Sequence, residues 1–272
     1  MNTFVHLESV RPDDDVVVVQ LTDSHLRQRP DEDVGGVRSV DTLLAVLNRM
    51  RGQVAAPDFI LATGDIADDG SPEAYSRFLQ SVGESVPLFA IPGNHDKREA
   101  FYSAFGAKAP AGIDAGGWRI VLLDSVVPGS DEGHLGEDQQ RRLLDALHHA
   151  GKRHILVVIH HPPMNVGVPW LDDLKLQNAS WLLDALSVSP NVRAVLSGHV
   201  HLEFDERYPR KPATAPNSTP EYIRLMTSPS TCIQFKPGSQ EYQLDPIGPG
   251  FRCLRLHPDG SITTWVDRVE AA

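Results

Sequence analysis

Short apolar runs alternate with amphipathic segments along most of the chain, and this alternation restricts the fold more than any other feature of the sequence. The run Val16–Leu21 is almost entirely apolar, as expected for a parallel strand that is covered on both faces. Asp41 to Met50 has helical spacing, with its leucines and valines on or near one face. Further strands are predicted at Phe59–Ala62, Leu88–Ile91, Ile120–Leu123, Ile155–Ile159 and Val192–Leu196, and further helices after Ser71, from about Glu137 to His149 and near Trp181–Leu186. This alternation predicts a layered α/β fold.

The last third of the sequence differs, because apolar runs follow one another there without helices between them. These runs are Ile223–Met226, Cys232–Phe235, Cys253–Leu256 and Ile262–Val266. A mixed or second sheet is therefore expected in a β-rich segment at about 222–268. Before it, residues 208–220 hold four prolines and no hydrophobic period, which predicts an exposed loop. We favour a solvated connector there over a lid or an oligomer contact.

Charge and composition exclude several classes of protein. The 272 residues carry a formal net charge of -11, which argues against a general nucleic-acid binder, since such binders need a basic surface. An anionic substrate would need local positive charge, which bound metal ions can supply. Two cysteines match no zinc or disulfide pattern and favour a reducing cytoplasm. The acidic N-terminus predicts no signal peptide, and no apolar run approaches the roughly 20 residues of a membrane span.

Five polar clusters fall at or just after the ends of predicted strands. They are Asp23-Ser24-His25, Gly64-Asp65, Gly93-Asn94-His95-Asp96, His160-His161 and Gly198-His199-Val200-His201. Ligands of α/β sheets gather beyond the carboxyl ends of strands, so these clusters are expected to converge. Their carboxylate, imidazole and amide groups are ligands suited to Mn, Fe or Zn. Asp-x-His and Gly-Asp alone are weak signals, whereas the ordered set of five is specific and predicts a metal site.

The same five clusters resemble the signature of the calcineurin-like metallophosphoesterases, over most of the chain. The resemblance is sharpest with the class III cyclic-nucleotide phosphodiesterases, because His160-His161-Pro162-Pro163, Trp170 to Ala179 and Pro229 to Pro237 also look like that subgroup. It implies a single domain over residues 1–272, built as a four-layer α/β/β/α sandwich of two mixed sheets. The proline-rich stretch 208–220 is longer than in the subgroup.

The resemblance also implies a pair of metal ions, most readily Fe or Mn, with Zn or Co as alternatives. Asp23, His25 and His201 would bind one ion, and Asn94, His160 and His199 would bind the other. Asp65 would bridge them, and two ions roughly 3.5–4 Å apart do need such a carboxylate to relieve their repulsion. The ions would also lower the pKa of a water, so that hydroxide can attack phosphorus.

The remaining residues of the clusters receive supporting roles. His95 adjoins Asn94, and we expect both to bind substrate, with His95 holding a phosphoryl oxygen or protonating the leaving alkoxide. Asp96 would orient His95 or cap the following helix, and the residues favour the cap. His161 is expected to support the site rather than bind metal. Asp68-Asp69-Gly70 is interpreted as a turn rather than as support for Asp65.

Several functions remain open from the sequence. The leading hypothesis is an enzyme that hydrolyses 3′,5′-cyclic AMP to 5′-AMP. A broad phosphodiesterase acting on glycerophosphodiesters or 2′,3′-cyclic nucleotides, a protein phosphatase and a non-catalytic metal-binding scaffold are the alternatives. The expected partner is a small phosphodiester, with neither a nucleic-acid polymer nor a membrane span, and the C-terminal tail is a candidate for packing across a homodimer.

Overall fold

Two mixed β-sheets form the centre of the protein in a computed structural model that describes residues 4–54, 56–210 and 221–270. The strands are β1 (Phe4–Leu7), β2 (Val16–Leu21), β3 (Asp33–Val34), β4 (Val37–Arg38), β5 (Phe59–Thr63), β6 (Leu88–Ile91), β7 (Gly112–Ala115), β8 (Trp118–Leu123), β9 (His154–Ile159), β10 (Val192–Ser197), β11 (Phe204–Pro209), β12 (Tyr222–Thr227), β13 (Gln234–Phe235), β14 (Leu244–Asp245), β15 (Gly250–Leu256) and β16 (Ile262–Arg268). The helices are α1 (Ser39–Gln53), α2 (Pro72–Val82), α3 (Arg98–Phe105), α4 (Glu137–His148), α5 (Pro169–Asp172) and α6 (Ala179–Ser187).

The strands that precede the polar clusters run in parallel in each sheet. The larger sheet has the order β1-β7-β8-β9-β10-β12-β11, and β8, β9, β10 and β12 are parallel. The smaller sheet has the order β16-β15-β2-β5-β6, with β2, β5 and β6 parallel. The C-terminal hairpin β15–β16 pairs antiparallel with β2 and completes this sheet. Each sheet therefore brings several strand carboxyl ends to one edge.

Three apolar cores separate four layers. Between the sheets, residues such as Val18 and Phe59 of one sheet pack with Ile120 and Leu156 of the other. On the outer face of the smaller sheet, α1, α2 and α3 cover the alternate residues, Val19 among them. A third core joins α4 and α6 to the outer face of the larger sheet. Because both faces of the central strands are covered, most successive residues are apolar. The predicted α/β/β/α sandwich is confirmed.

The predicted strands and helices of the alternating region are all present, with ends that differ by a few residues. The strands β1, β3, β4, β7, β11 and β14 and the helix α5 were not predicted, and α3 was expected only as the helix that follows Asp96. Of the predicted strand Cys232–Phe235, only Gln234 and Phe235 pair, with β14. No helix in the described part of the chain is long and apolar enough to cross a membrane.

The predicted start of the proline-rich loop at residue 208 is wrong. Tyr208 and Pro209 belong to β11, which pairs antiparallel with β12 as the outermost strand of the larger sheet. An outer strand tolerates proline, because its N–H groups on one side have no partner strand. Residues 211–220, which form the rest of the predicted loop, lie outside the described residues.

Candidate metal centre

Seven side chains from five strand ends meet at one edge of the two sheets. We call them the donor cluster: Asp23, His25, Asp65, Asn94, His160, His199 and His201. All are buried except Asn94, which is half-buried. The sequence predicted all seven, and the structure brings them together although they span most of the chain.

The first part of the donor cluster contains Asp23, His25 and His201. The Nε2 atom of His201 lies 3.4 Å from Asp23 Oδ1 and 3.2 Å from His25 Nε2. A single ion placed among these atoms would have one carboxylate and two imidazole ligands, a set typical of Mn, Fe or Zn.

The second part contains Asn94, His160 and His199. Asn94 Oδ1 lies 3.1 Å from His160 Nε2 and 3.0 Å from His199 Nδ1. Asp65 lies between the two parts, because its Oδ2 is 3.3 Å from His160 Nε2 and 3.8 Å from His25 Nε2. This is the position that a bridging carboxylate requires.

The hydrogen bonds around the imidazoles fit a pair of cations. His160 Nδ1 lies 2.8 Å from the Thr63 carbonyl, His201 Nδ1 lies 2.8 Å from the Ile233 carbonyl, and His25 Nδ1 lies 3.0 Å from Asp68 Oδ1. Each Nδ1 must donate to these acceptors, so each neutral ring turns the lone pair of Nε2 into the cluster. Lone pairs and carboxylate oxygens then face one another, and only cations or extra protons relieve their repulsion.

The protonation of the cluster supports the same interpretation. Burial disfavours a charged imidazole, yet Asp65 and Asp23 raise the pKa of His160 to about 9. Burial likewise opposes ionisation of Asp65, but His160 and its neighbours hold the pKa of that carboxyl well below its usual range. The cluster therefore holds its carboxylates ionised and binds a proton where no cation is present. Metal ions would displace that proton.

The backbone of the cluster is strained. Of the six non-glycine residues with positive φ in the described part of the chain, five belong to the donor cluster: Asp23, His25, Asp65, His199 and His201, with φ between 45° and 71°. Such conformations are uncommon outside glycine and concentrate at functional sites. The strain is sustained by the two sheets that hold the strand ends.

Two glycines are required by close packing of the cluster. A Cβ atom at Gly93 would lie 2.2 Å from Asp65 Oδ1 and 2.7 Å from His160 Cε1. Gly64 has a φ of +100°, and a Cβ there would lie 2.4 Å from His160 Nδ1. The glycines of the motifs thus let the loops approach one another closely.

One turn contributes to both parts of the cluster. Residues 198–201 supply His199 to the second part and His201 to the first. The backbone N–H of His199 donates to both carboxylate oxygens of Asp23, at 3.0 and 3.1 Å. The two parts are therefore joined by covalent chain as well as by Asp65.

His95 lies beside the cluster and remains accessible. Its backbone N–H donates to Asp65 Oδ1 at 2.9 Å, and its Nδ1 lies 3.1 Å from the Asp68 carbonyl. The ring packs edge-on against His25, with the centroids 4.7 Å apart. Its side chain is 39% exposed and lines the adjoining cavity.

Asp96 and Asp68 differ from their predicted roles. Asp96 does not cap α3; its carboxylate accepts N–H bonds from Ile66, Ala67 and Gly93, and so ties two motif loops together. Burial, together with repulsion from Asp65, raises the pKa of Asp96 to about 6. Since the residue is buried between loops, it cannot reach the exposed start of the helix.

Asp68 was interpreted as part of a turn, and this is wrong for its side chain. Its Oδ1 accepts from His25 Nδ1, and its Oδ2 pairs with Arg27 at 2.7 Å. Asp69 performs the turn function instead, because it accepts the N–H groups of Ser71 and Gln28. Asp68 therefore orients a candidate ligand.

His161 lies behind the second part of the cluster. Its Nδ1 is 2.7 Å from Ser125 Oγ, and its ring centroid is 4.7 Å from that of His199. Burial and the neighbouring His160 lower the pKa of His161 to about 3, so the ring is neutral. This arrangement fits the supporting role expected from the sequence.

A cavity of about 210 Å³ adjoins the donor cluster. His25, Asp65 and His199 line it, together with three aromatic residues, Trp170, Phe235 and Tyr242, which we call the aromatic wall. Sequence reasoning did not assign the wall, although Trp170 and Phe235 fall in segments that resemble the phosphodiesterase subgroup. The three residues are far apart in the sequence, so they form no local motif.

Comparison with known proteins agrees with this geometry. The model of the calcineurin-like phosphoesterase family matches residues 16–203, which include the whole donor cluster. The 3′,5′-cyclic adenosine monophosphate phosphodiesterase CpdA of Pseudomonas aeruginosa is 40% identical over 97% of this chain and 94% of that protein. The CpdA of Escherichia coli (strain K12) is 39% identical over 93% and 90% of the respective chains.

Solved structures agree at the level of the fold. A dimetal phosphatase from Danio rerio has a TM-score of 0.60 at 15% identity, covering 94% of this chain and 99% of its own. The purple acid phosphatase PPD1 of yellow lupin also has a TM-score of 0.60, at 13% identity, over 94% of this chain and 52% of its own. From the family match and the relatives that align along nearly its full length, the chain belongs to the calcineurin-like phosphoesterase family.

Proposed function

We propose that the protein hydrolyses 3′,5′-cyclic AMP to 5′-AMP in a metal-dependent reaction. The observation that carries the proposal is the donor cluster, in which two sets of ligand atoms lie on either side of the Asp65 carboxylate. The substrate is proposed from the relatives, whose names specify 3′,5′-cyclic adenosine monophosphate.

The donor cluster would hold two ions. Asp23, His25 and His201 would hold one, Asn94, His160 and His199 the other, and Asp65 both. Bound there, such ions supply Lewis acidity toward phosphoryl oxygens and lower the pKa of water. The chain itself keeps three of the histidines oriented, because Nδ1 of His160 and of His201 is held by a carbonyl and Nδ1 of His25 by Asp68.

His95 would act on the substrate directly. With Nδ1 held by the Asp68 carbonyl, Nε2 is free to donate a proton to the 3′-oxygen as the P–O3′ bond breaks. Water supplies the new P–O bond, and its proton is lost to solvent, so the product is the 5′-monophosphate. Asn94 lines the same cavity and would bind a phosphoryl oxygen as well as an ion.

The identity of the metal ions is proposed from the types of ligand atom. Oxygen and imidazole donors with no thiolate favour Fe or Mn, with Zn or Co as alternatives. Cys232 and Cys253 are both buried and unpaired, which suits a reducing cytoplasm. Elemental analysis of active protein should find two ions per chain. A homodimer through the C-terminal segment stays a prediction, which sedimentation of the purified protein tests.

Side-by-side turnover tests the proposed substrate. Protein loaded with Mn²⁺ is offered cyclic AMP, cyclic GMP, glycerophosphocholine and a phosphoserine peptide, with bis(p-nitrophenyl) phosphate as a general diester. We expect the highest kcat/KM for cyclic AMP. Equal rates on all diesters would indicate a broad phosphodiesterase, preference for the peptide a protein phosphatase, and no turnover of any substrate a scaffold.

Thermal unfolding tests metal binding without an assay of activity. A ligand at 1,000 times its Kd stabilises the folded state by about 4 kcal/mol. For a chain of this size, that corresponds to a rise in Tm on the order of 10 °C over chelated protein. A Tm that is the same with Mn²⁺ and with chelator would contradict the metal site.

A further inference from the structure

The aromatic wall extends from the donor cluster to the protein surface. Phe235 is buried and its ring stacks on that of His201, with centroids 4.2 Å apart and planes inclined by 16°. Trp170 packs edge-on against Phe235 at 5.0 Å and lies 5.7 Å from Tyr242. Tyr242 is the outermost member and is 58% exposed. The wall therefore forms a continuous apolar path from a candidate metal ligand to solvent.

The three rings are held by separate parts of the chain. Trp170 lies in α5, where its Nε1 donates to Ser239 Oγ at 3.4 Å. Phe235 belongs to β13, and Tyr242 lies in the loop that leads to β14. The wall is thus built by the segments that follow the parallel strands, and none of its members belongs to the five motif clusters.

The surroundings of the wall suit a flat, uncharged group. Apart from the donor cluster, His95 and the three rings, the cavity is lined by the uncharged Leu171 and Leu174 and by the exposed Asp131. Exposure of the tyrosine and of part of the tryptophan to water is unfavourable. The faces of the two rings can stack on any nucleobase, because every base has a π-face. A phosphopeptide would instead need charged partners, which the wall itself does not provide. A choline headgroup can also bind aromatic faces, so turnover of glycerophosphocholine distinguishes it from a nucleobase.

We propose that the aromatic wall is the base-binding site of the enzyme, in which Trp170 and Tyr242 stack on the nucleobase of a cyclic nucleotide whose phosphate lies on the donor cluster. This inference rests on the proposed function and specifies which part of the substrate is recognised. A purine offers more stacking area than a pyrimidine, so the wall selects purine nucleotides. Trp170 and Tyr242 are specificity residues and take no part in bond breaking.

Steady-state kinetics of Tyr242→Ala and Trp170→Ala test the proposal. Alanine replacement of a ring that stacks on a base weakens binding about fivefold to a hundredfold. We expect KM for cyclic AMP to rise by that factor with kcat within about twofold, since binding is lost equally in ground and transition states. The same variants should hydrolyse the base-free ribose 3,5-cyclic phosphate, followed by ³¹P NMR, as well as the unaltered protein does.

Two controls keep the test interpretable. Trp265→Ala removes another partly exposed tryptophan, on the edge strand β16, and should leave KM unchanged. Tyr242→Phe keeps the ring and should keep KM for cyclic AMP. Because Tyr242 is more than half exposed, its removal leaves the fold intact even if Trp170→Ala destabilises the chain.

Binding of the product gives a second readout. Titration with 5′-AMP, followed by calorimetry, should show the same loss of affinity in Tyr242→Ala. If the unaltered protein turns over cyclic AMP and both alanine variants keep its KM and its preference over cyclic CMP, the base-site inference is overturned while the proposed function stands. If the unaltered protein does not turn over cyclic AMP at all, the proposed function itself fails.

Discussion

The donor cluster and the aromatic wall face one cavity, but they are built in opposite ways. The donor cluster is almost fully buried, lies at strand ends, and contains five residues with positive φ. The aromatic wall comes from a one-turn helix, a two-residue strand and a loop, and its outermost ring is 58% exposed.

This difference indicates a division of labour. Two sheets fix the donor cluster, so its geometry is set by the core and tolerates little change. Phe235 and the partly buried Trp170 pack in a small apolar cluster with Val168 and Leu202. Tyr242 is mostly exposed, so the outer part of the wall can vary without disturbing the strand ends. Groups for the reaction would then be fixed by the fold, and groups for substrate choice by the segments added around it.

The largest effect is expected from Asp65→Asn. Asparagine keeps the size of the side chain and tolerates positive φ, but it removes the charge between the two parts of the cluster. Turnover of cyclic AMP and of the base-free cyclic phosphate should both fall about a thousandfold or more, given that one preorganised donor alone contributes about 10²–10³-fold. The matched control Glu73→Ala, at an exposed carboxylate of α2, should leave turnover unchanged. If Asp65→Asn lowered turnover of cyclic AMP but not of the base-free cyclic phosphate, the division of labour would be contradicted.

His95→Gln comes next, with kcat lower by about 10²–10⁴-fold, as expected for loss of a general acid. Metal content should stay at the level of the unaltered protein, because the bond to Asp65 comes from the backbone N–H of residue 95. The exposed His134 supplies the control His134→Gln. Loss of metal in His95→Gln would instead assign the ring to the ligand set.

Asp68→Ala should weaken metal binding about tenfold to a hundredfold, the usual effect of removing a partner that orients a ligand histidine. The carboxylate of Asp69 contacts backbone groups only, so Asp69→Ala should leave metal affinity unchanged. Competition with a chelator measures both affinities. Equal affinities in the two variants would show that His25 needs no support from residue 68.

The smallest effect is expected from Phe235→Leu, which acts where the donor cluster meets the wall. An aromatic pair contributes about 0.5–1.5 kcal/mol, so loss of stacking on His201 should change kcat and KM for cyclic AMP by a few-fold each. Phe89→Leu alters a comparably buried ring between the sheets and should affect only the free energy of unfolding. A change in KM without a change in kcat would show that Phe235 contributes only to substrate binding, as the other wall residues do.

The sequence was sufficient for the parallel strands and for the donor cluster, for a common physical reason. A strand covered on both faces must be largely apolar, as Val16–Leu21 is apart from Gln20, and a buried ligand loop needs glycine, as at Gly93. Both requirements leave local patterns. The strand β11 (Phe204–Pro209) leaves none, because it is an outer strand with mostly polar side chains.

Long-range pairing explains the remaining errors. Asp96 binds Ile66 and Ala67 from another motif loop, and the sequence around it reads as the start of a helix. Asp68 stands before an Asp-Gly pair, which is a strong turn signal, although its partner is His25. Trp170, Phe235 and Tyr242 meet only through tertiary packing, so no spacing rule could have joined them.

The turn at residues 198–201 has a consequence for how the site fails. It places His199 in the second part of the donor cluster and His201 in the first, and the backbone N–H of His199 donates to Asp23 of the first part. A shift of this short stretch displaces ligands of both parts together, so the loss of metal binding cannot be confined to one part. Inactivation on heating should accordingly proceed in a single step, with no population that retains half of its ions.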